Sequence, residues 1–377
     1  MKTKGLHNQL VEWRHHFHQN PELGFEEKFT SNRVIEILKE IGLEVHSELG
    51  KTGVVAVLQK GNSSKSLAIR ADMDALPIEE TNIFNYISKN SGCMHACGHD
   101  GHTSMLLGAA HYLKESGNFN GTVYFIFQPN EENTLGAQAM IDDGLFEKFN
   151  SDEVYALHNI PGMELGSFAL KEGTITASEN LFEITIQGVG GHAALPHMSK
   201  DTITIGSQII NALQTIISRK LNPADNGVVS VTEFITDGKK NILPGHGIII
   251  GDARALSDQA NTLIEKNIKQ IAQGVSHAHN VKVEVLYKRN CPITINSPTQ
   301  TNVATLAATN LVGESQVDSK CEPKLFSEDF SIMSQHKPGC FVLMGNGTEG
   351  SNTKPLHSSD YDFNDDALVI GSSFWVQ

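Results

Sequence analysis

The segment Gly121–Gln128, Gly-Thr-Val-Tyr-Phe-Ile-Phe-Gln, constrains the fold more than any other part of the chain. Its β-branched and aromatic residues run almost without a polar break, which is the composition of a strand covered on both faces at the centre of a sheet. Covering both faces takes helices, so an α/β architecture is expected. Helical spacing over residues 6–17 and about 29–41 places two helices first, with the turn Asn20-Pro-Glu-Leu-Gly24 between them. Strands are expected at 53–58 and 66–71, joined across Lys60-Gly-Asn-Ser-Ser64 as a hairpin. Helices over 103–116, 136–143 and 301–311 and short strands at 153–158 and 340–344 complete this part of the pattern.

At 377 residues the chain exceeds one ordinary core, and two domains are expected. The composition shifts near Ala177. Strands at 181–188, 228–234, 247–255 and 281–288, with helices at 201–218 and 258–277, give the order β-α-β-β-α-β of a ferredoxin-like unit. An inserted domain over 177–290, between 1–176 and 291–377, follows from that order.

A net charge of -14 leaves no basic face for phosphate, so a nucleic-acid partner is excluded. No apolar run approaches the ~20 residues of a membrane span, and the N-terminus lacks a signal-type apolar core, so no membrane partner and a cytoplasmic location are expected. The five cysteines, at 93, 97, 291, 321 and 340, are odd in number and scattered. They do not read as a disulfide framework.

Chemistry-bearing side chains concentrate in Cys93-Met-His-Ala-Cys-Gly-His-Asp-Gly-His102, where Gly98 and Gly101 give the backbone freedom to turn the donors toward one point. Cys97 reads as a reduced metal ligand, and His99, two residues on, can reach the same or an adjacent ion ahead of a helix beginning near His102. Asp72 and Asp74 share one face of the extended segment Arg70-Ala-Asp-Met-Asp-Ala-Leu-Pro77. Glu131 and Glu132 follow the central strand and are expected to face different directions, so that one can hold a metal while the other points at a water. His158 ends another strand, and His357 lies in the last polar loop. In the inserted region, His192 sits in a glycine-rich turn, Asn241 in a loop, and Arg254 on a strand, where it is a natural clamp for a substrate carboxylate. Cys97, His99, Glu132, His158 and His357 are too many donors for one tetrahedral ion and about right for two divalent ions. Glu131 would take a proton from the attacking water and deliver it to a leaving amine.

The order His18-Gln-Asn-Pro-Glu22, Arg70–Pro77, Met94–His102, Phe127-Gln-Pro-Asn-Glu-Glu132, Leu157-His-Asn159, Gly190-Gly-His-Ala193, Asn241-Ile-Leu-Pro244 and Leu356-His-Ser358 resembles the M20 metallopeptidase family, in its amidohydrolase branch. The resemblance spans nearly the whole chain. It implies a metal-bearing catalytic α/β/α domain with an inserted ferredoxin-like lid that usually also forms a homodimer. It places the ligand set on Cys97, His99, Glu132, His158 and His357, the catalytic base on Glu131, and a supporting acid on Asp72 or Asp74. His192 would stabilise the oxyanion, and Asn241 and Arg254 would bind the carboxylate of an N-acyl-L-amino acid substrate. Two divalent ions, Zn, Mn, Co or Ni, are the implied cofactors. A dipeptidase or aminopeptidase of the same family would need an acidic group for a free α-amine. A non-catalytic metal or peptide binder would have no use for Glu131 beside Glu132.

Overall fold

A computed structural model describes every residue from Met1 to Gln377. Helices α1 (His7–His18) and α2 (Lys28–Glu40) open the chain, followed by strands β1 (Glu44–Leu49), β2 (Gly53–Lys60) and β3 (Ser66–Asp72). Helix α3 (His99–Ser116) leads to β4 (Gly121–Gln128), α4 (Gly136–Asp142) and β5 (Glu153–Pro161). Then come β6 (Glu179–Gln187), α5 (Thr202–Leu213), β7 (Gly227–Thr236), β8 (His246–Ala255), α6 (Asp258–His279) and β9 (Lys282–Cys291). The last elements are α7 (Pro298–Val312), α8 (Phe330–His336), β10 (Gly339–Gly347) and α9 (Asp365–Val376).

The chain divides into two units, one formed by Met1–Ile175, Ile295–Glu322 and Asp329–Gln377, the other by Thr176–Thr294 with Pro323–Glu328. The short return of Pro323–Glu328 to the second unit leaves no compositional mark in the sequence.

In the first unit one sheet runs in the order β1-β2-β4-β3-β5-β10 and ends in the two-residue strands Phe168–Ala169 and Val317–Asp318. Strand β4 pairs antiparallel with β2 and parallel with β3. The expected hairpin between β2 and β3 is therefore not formed. The physical reason is that β4, an almost wholly apolar strand, is covered best with a neighbour on each edge, and it takes the place between them. Strands β3, β5 and β10 continue in parallel, and β10 is buried along its whole length. The chain leaves β3 through α3 to β4 on one side, then returns through α4 to β5 on the other. The carboxyl end of β3 is thus a topological switch point, where open parallel sheets hold their ligands. Leu106 and Leu107 of α3 share a core with Phe125, Phe127, Val342 and Met344 of the sheet.

The second unit has an antiparallel sheet in the order β7-β8-β6-β9, the ferredoxin-like arrangement. On β6, Phe182, Ile184 and Ile186 are buried, while Leu181 on the opposite face is exposed. The buried face packs on Ile205 and Ile209 of α5 and on Ile264 and Ile268 of α6. Helix α5 stops at Leu213 and is followed by a separate π turn, Ile216–Lys220, where one continuous helix was expected. Strand β1 and helix α8 have no sequence counterpart above. All five cysteines are free and buried, and no helix is long and apolar enough to cross a membrane.

Candidate metal centre

Helix α3 begins at His99, not near His102, and Gly98 precedes it with a left-handed φ of 92°. A Cβ at Gly98 would lie 2.4 Å from Asn159 Oδ1 and 2.6 Å from Tyr361 Oη. Only glycine fits a turn that is both left-handed and this close to its neighbours. That turn sets Cys97 and His99 toward one place. Cys97 Sγ lies 3.3 Å from His158 Nε2, and His158 Nδ1 donates to the Asn159 carbonyl at 2.7 Å, so Nε2 is the unprotonated nitrogen and its lone pair faces Cys97. The ligating atoms of Cys97, His99 and His158 all fall within 4.8 Å of one another.

The end of β3 and the residues after it bring two carboxylates to the same imidazole. Asp74 Oδ1 is 3.2 Å from His99 Nδ1, and Asp72 Oδ2 is 3.8 Å from His99 Nε2. Asp74 Oδ2 also accepts the Glu132 backbone N–H at 3.0 Å. Asp72 Oδ1 lies 2.6 Å from His102 Nδ1, and Asn159 Oδ1 lies 2.8 Å from His102 Nε2. His102 carried no role from the sequence. The available signal was its spacing, since residues three apart on a helix share a face and His99 already pointed at the site.

The glutamates stand on a turn after β4. A Cβ at Gly136 would sit 1.6 Å from the Pro129 carbonyl oxygen, so glycine lets the loop close on itself. Because the backbone turns here, Glu131 and Glu132 do not alternate as on a strand. Their carboxylates approach His99 Nε2 almost equally, Glu131 Oε2 at 4.0 Å and Glu132 Oε1 at 3.9 Å, but beyond His99 their neighbours differ, Glu131 lying near Glu328 and Asp329. Glu132 alone of the two also meets His357, with Oε2 at 3.4 Å from Nε2. Cys97, Glu132 and His357 form a second group of donors within 4.8 Å of one another. His357 has a φ of 65°, and its N–H donates to the Ala96 carbonyl at 2.8 Å, so the last polar loop is held against the Cys97 segment.

Electrostatically the cluster is short of positive charge. Burial pushes the Cys97 thiol well up, and Glu132, Glu131 and Asp72 push it further. Burial works against the His99 cation, but Asp72 and Asp74 outweigh it and raise that imidazole to about 10. Burial alone would raise Asp72, yet His99, His102 and Arg70 hold it well below the ordinary carboxylate range. His99 Nε2 and Glu132 Oε1 are buried with no hydrogen-bond partner. An unsatisfied buried polar atom costs about 1–3 kcal/mol. A sulfur, three imidazole nitrogens and carboxylate oxygens converging with two atoms unpaired suit divalent transition-metal cations.

The remaining predicted residues belong to the second unit. His192 and Asn241 are neighbours there: the strand pair Gly191–His192 and Ile242–Leu243 sets His192 opposite Ile242, and the Ala193 N–H donates to the Asn241 carbonyl at 3.1 Å. The exposed His192 accepts the Ala194 N–H at Nδ1, 3.0 Å away. Arg254 on β8 is engaged by Asp252 at 2.8 Å, Ser327 Oγ at 3.0 Å and Glu179 at 3.7 Å.

Comparison with known proteins points the same way. The chain is 42% identical over 372 residues to the hippurate hydrolase of Campylobacter jejuni, covering 99% of this chain and 96% of that one. It is 34% identical to an N-acetylcysteine deacetylase of Bacillus subtilis, over 100% of this chain and 97% of the relative. The crystal structure of the Bacillus subtilis YXEP protein, a dinuclear metal binding peptidase from the M20 family, superposes with a TM-score of 0.86 at 30% identity, covering 99% of this chain and 97% of that one. Residues 68–377 match the family described as peptidase family M20/M25/M40. With its donors gathered at the switch point of a parallel sheet and relatives alike along their whole length, the chain belongs to peptidase family M20/M25/M40.

Proposed function

We propose that this protein hydrolyses the amide bond of N-acyl-L-amino acids, hippurate-like or N-acetylated, to a carboxylic acid and a free amino acid. The observation that carries the reading is the pair of adjacent carboxylates at His99: Glu132 belongs to a group with Cys97 and His357 that Glu131 does not join, which supports Glu132 as the ligand and Glu131 as the group that moves a proton. Two divalent cations would be held by Cys97, His99, Glu132, His158 and His357, and this mixed donor set ranks Zn above Mn. When bound, such cations polarise the amide carbonyl and make the attacking water more acidic. Glu131 accepts the water's proton and passes it to the leaving nitrogen. Asp74 holds His99 by Nδ1 so that Nε2 faces the centre, while Asp72 and Asn159 hold His102 between them. The relatives named for hippurate and N-acetylcysteine support an acyl-amino-acid substrate.

The second unit is proposed as a lid that also pairs with a second copy of the chain. His192 would stabilise the oxyanion from it, and Asn241 would bind the substrate carboxylate. Arg254, held by Asp252 at Nε, would share in that binding through its Nη donors.

Replacing Glu131 by Gln tests the reading on hippurate and N-acetyl amino acids. Turnover is expected to fall by about 10²–10⁴-fold, the range for loss of a general base, with metal content unchanged. Undiminished turnover would refute it. Release of product from free-amine dipeptides but not from acylated amino acids would favour a dipeptidase instead.

A further inference from the structure

Asp329, at the start of α8, is fully buried, and no feature of the sequence marks it. Its Oδ1 accepts from Arg70 Nη2 at 3.0 Å and from Gln128 Nε2 at 2.7 Å. Its Oδ2 accepts from the same Gln128 Nε2 at 3.0 Å and from the Ala137 backbone N–H at 2.9 Å. These partners are the frame of the candidate centre. Gln128 ends β4 just before the glutamate loop, and Ala137 stands just after it, in the first turn of α4. Arg70 donates from Nε to Gln128 Oε1 and from Nη1 to Asp72 Oδ2, each at 2.8 Å. That Asp72 oxygen is the one facing His99 Nε2.

We infer that Asp329 is a positioning residue, one buried carboxylate that clamps both ends of the Glu131–Glu132 loop and, through Arg70, sets where Asp72 stands against His99. The inference rests on the reading of Glu131 as the base. A carboxylate is required because N–H donors point at both of its oxygens, and the isosteric amide would turn an NH2 toward one of those donors. Arg70 is shared between Asp72 and Asp329, so neutralising Asp329 removes one of the charges that hold the buried guanidinium and shifts its balance toward Asp72. A carboxylate oxygen of Asp329 also lies within 4.8 Å of one of Glu131, so the clamp stands directly behind the base, and a misplacement of about 1 Å at such a reacting group can cost roughly 10²-fold in rate.

The test compares Asp329→Asn, Glu131→Gln and the double variant, each loaded with metal, on an N-acyl amino acid. Asp329→Asn is expected to lower kcat by about 10²-fold with KM within about twofold of the parent and bound metal unchanged. The double variant is expected to be no slower than Glu131→Gln, because a clamp on the base has nothing left to position. A kcat for Asp329→Asn close to the parent's, or losses that multiply in the double variant, would overturn the inference. If Asp329→Asn does not fold, Gln128→Leu removes the link to β4 and decides by the same split between kcat and KM. With Glu131→Gln inactive and Asp329→Asn unimpaired, the clamp falls while the functional reading stands. With Glu131→Gln fully active, both fall.

Discussion

Gly98 separates Cys97 from His99, and its left-handed φ of 92° is what lets consecutive donors face one point. Gly98→Ala is expected to cost about 1–2 kcal/mol for the backbone conformation alone, with a further loss from collision with Asn159 and Tyr361. Thermal denaturation and metal analysis of the purified variant check this, and an unchanged melting temperature with full metal content would refute it. Asp74 acts one step further out, holding His99 Nδ1 and the Glu132 N–H together. Asp74→Ala is expected to weaken metal binding by about 10–100-fold, as loss of a partner behind a ligand generally does. Competition with a chelating dye measures it.

At the scale of elements, Glu27 ties the start of α2 to two loops. Its side chain accepts from Thr52 Oγ1 at 2.6 Å and from the Asn130 N–H at 2.8 Å. Burial raises this carboxyl from its ordinary 4.5 to about 7, against the opposing pull of the Thr52 hydrogen bond. Between those two values the folded chain holds a proton that the unfolded chain has released, so Glu27 lowers stability progressively as the pH rises through that window and no further above it. Glu27→Gln removes the titration. The melting temperature of the variant relative to the parent should therefore climb from pH 5 to pH 7 and level off near pH 8. Parallel curves would sink the assignment.

Across the first unit as a whole, Arg14 of α1 is fully buried among carboxylates, 3.4 Å from Asp100 of α3, 2.9 Å from Asp362 and 2.7 Å from Asp365 of α9. Asp100 follows His99, so this network braces the ligand loop from behind while it joins three helices. Arg14→Met leaves buried carboxylates uncompensated and should cost about 3–5 kcal/mol in urea denaturation. Chelation is expected to abolish turnover and lower the melting temperature, since an ion bound only by the folded chain stabilises it. Restored activity on adding Zn or Mn, measured against chelated protein, checks that expectation.

Features that depend on neighbours in the chain were legible in the residues alone: the continuous apolar run of β4, the helical spacing of α1 and α6, the β-α-β-β-α-β order of the insertion, and the donor chemistry of Cys97, His99, Glu132, His158 and His357. Pattern and composition are local properties, and local physics reads them. What the tertiary structure alone decided is pairing and the neutralisation of buried charge. Strand β4 came between β2 and β3 because sheet order depends on which apolar surfaces meet. Glu131 and Glu132 both reach His99 because a turn replaced the strand. Asp329 gained its place through Gln128, a residue 201 positions away, since a buried carboxylate is held by whichever donors folding brings to it and no spacing along the chain records them.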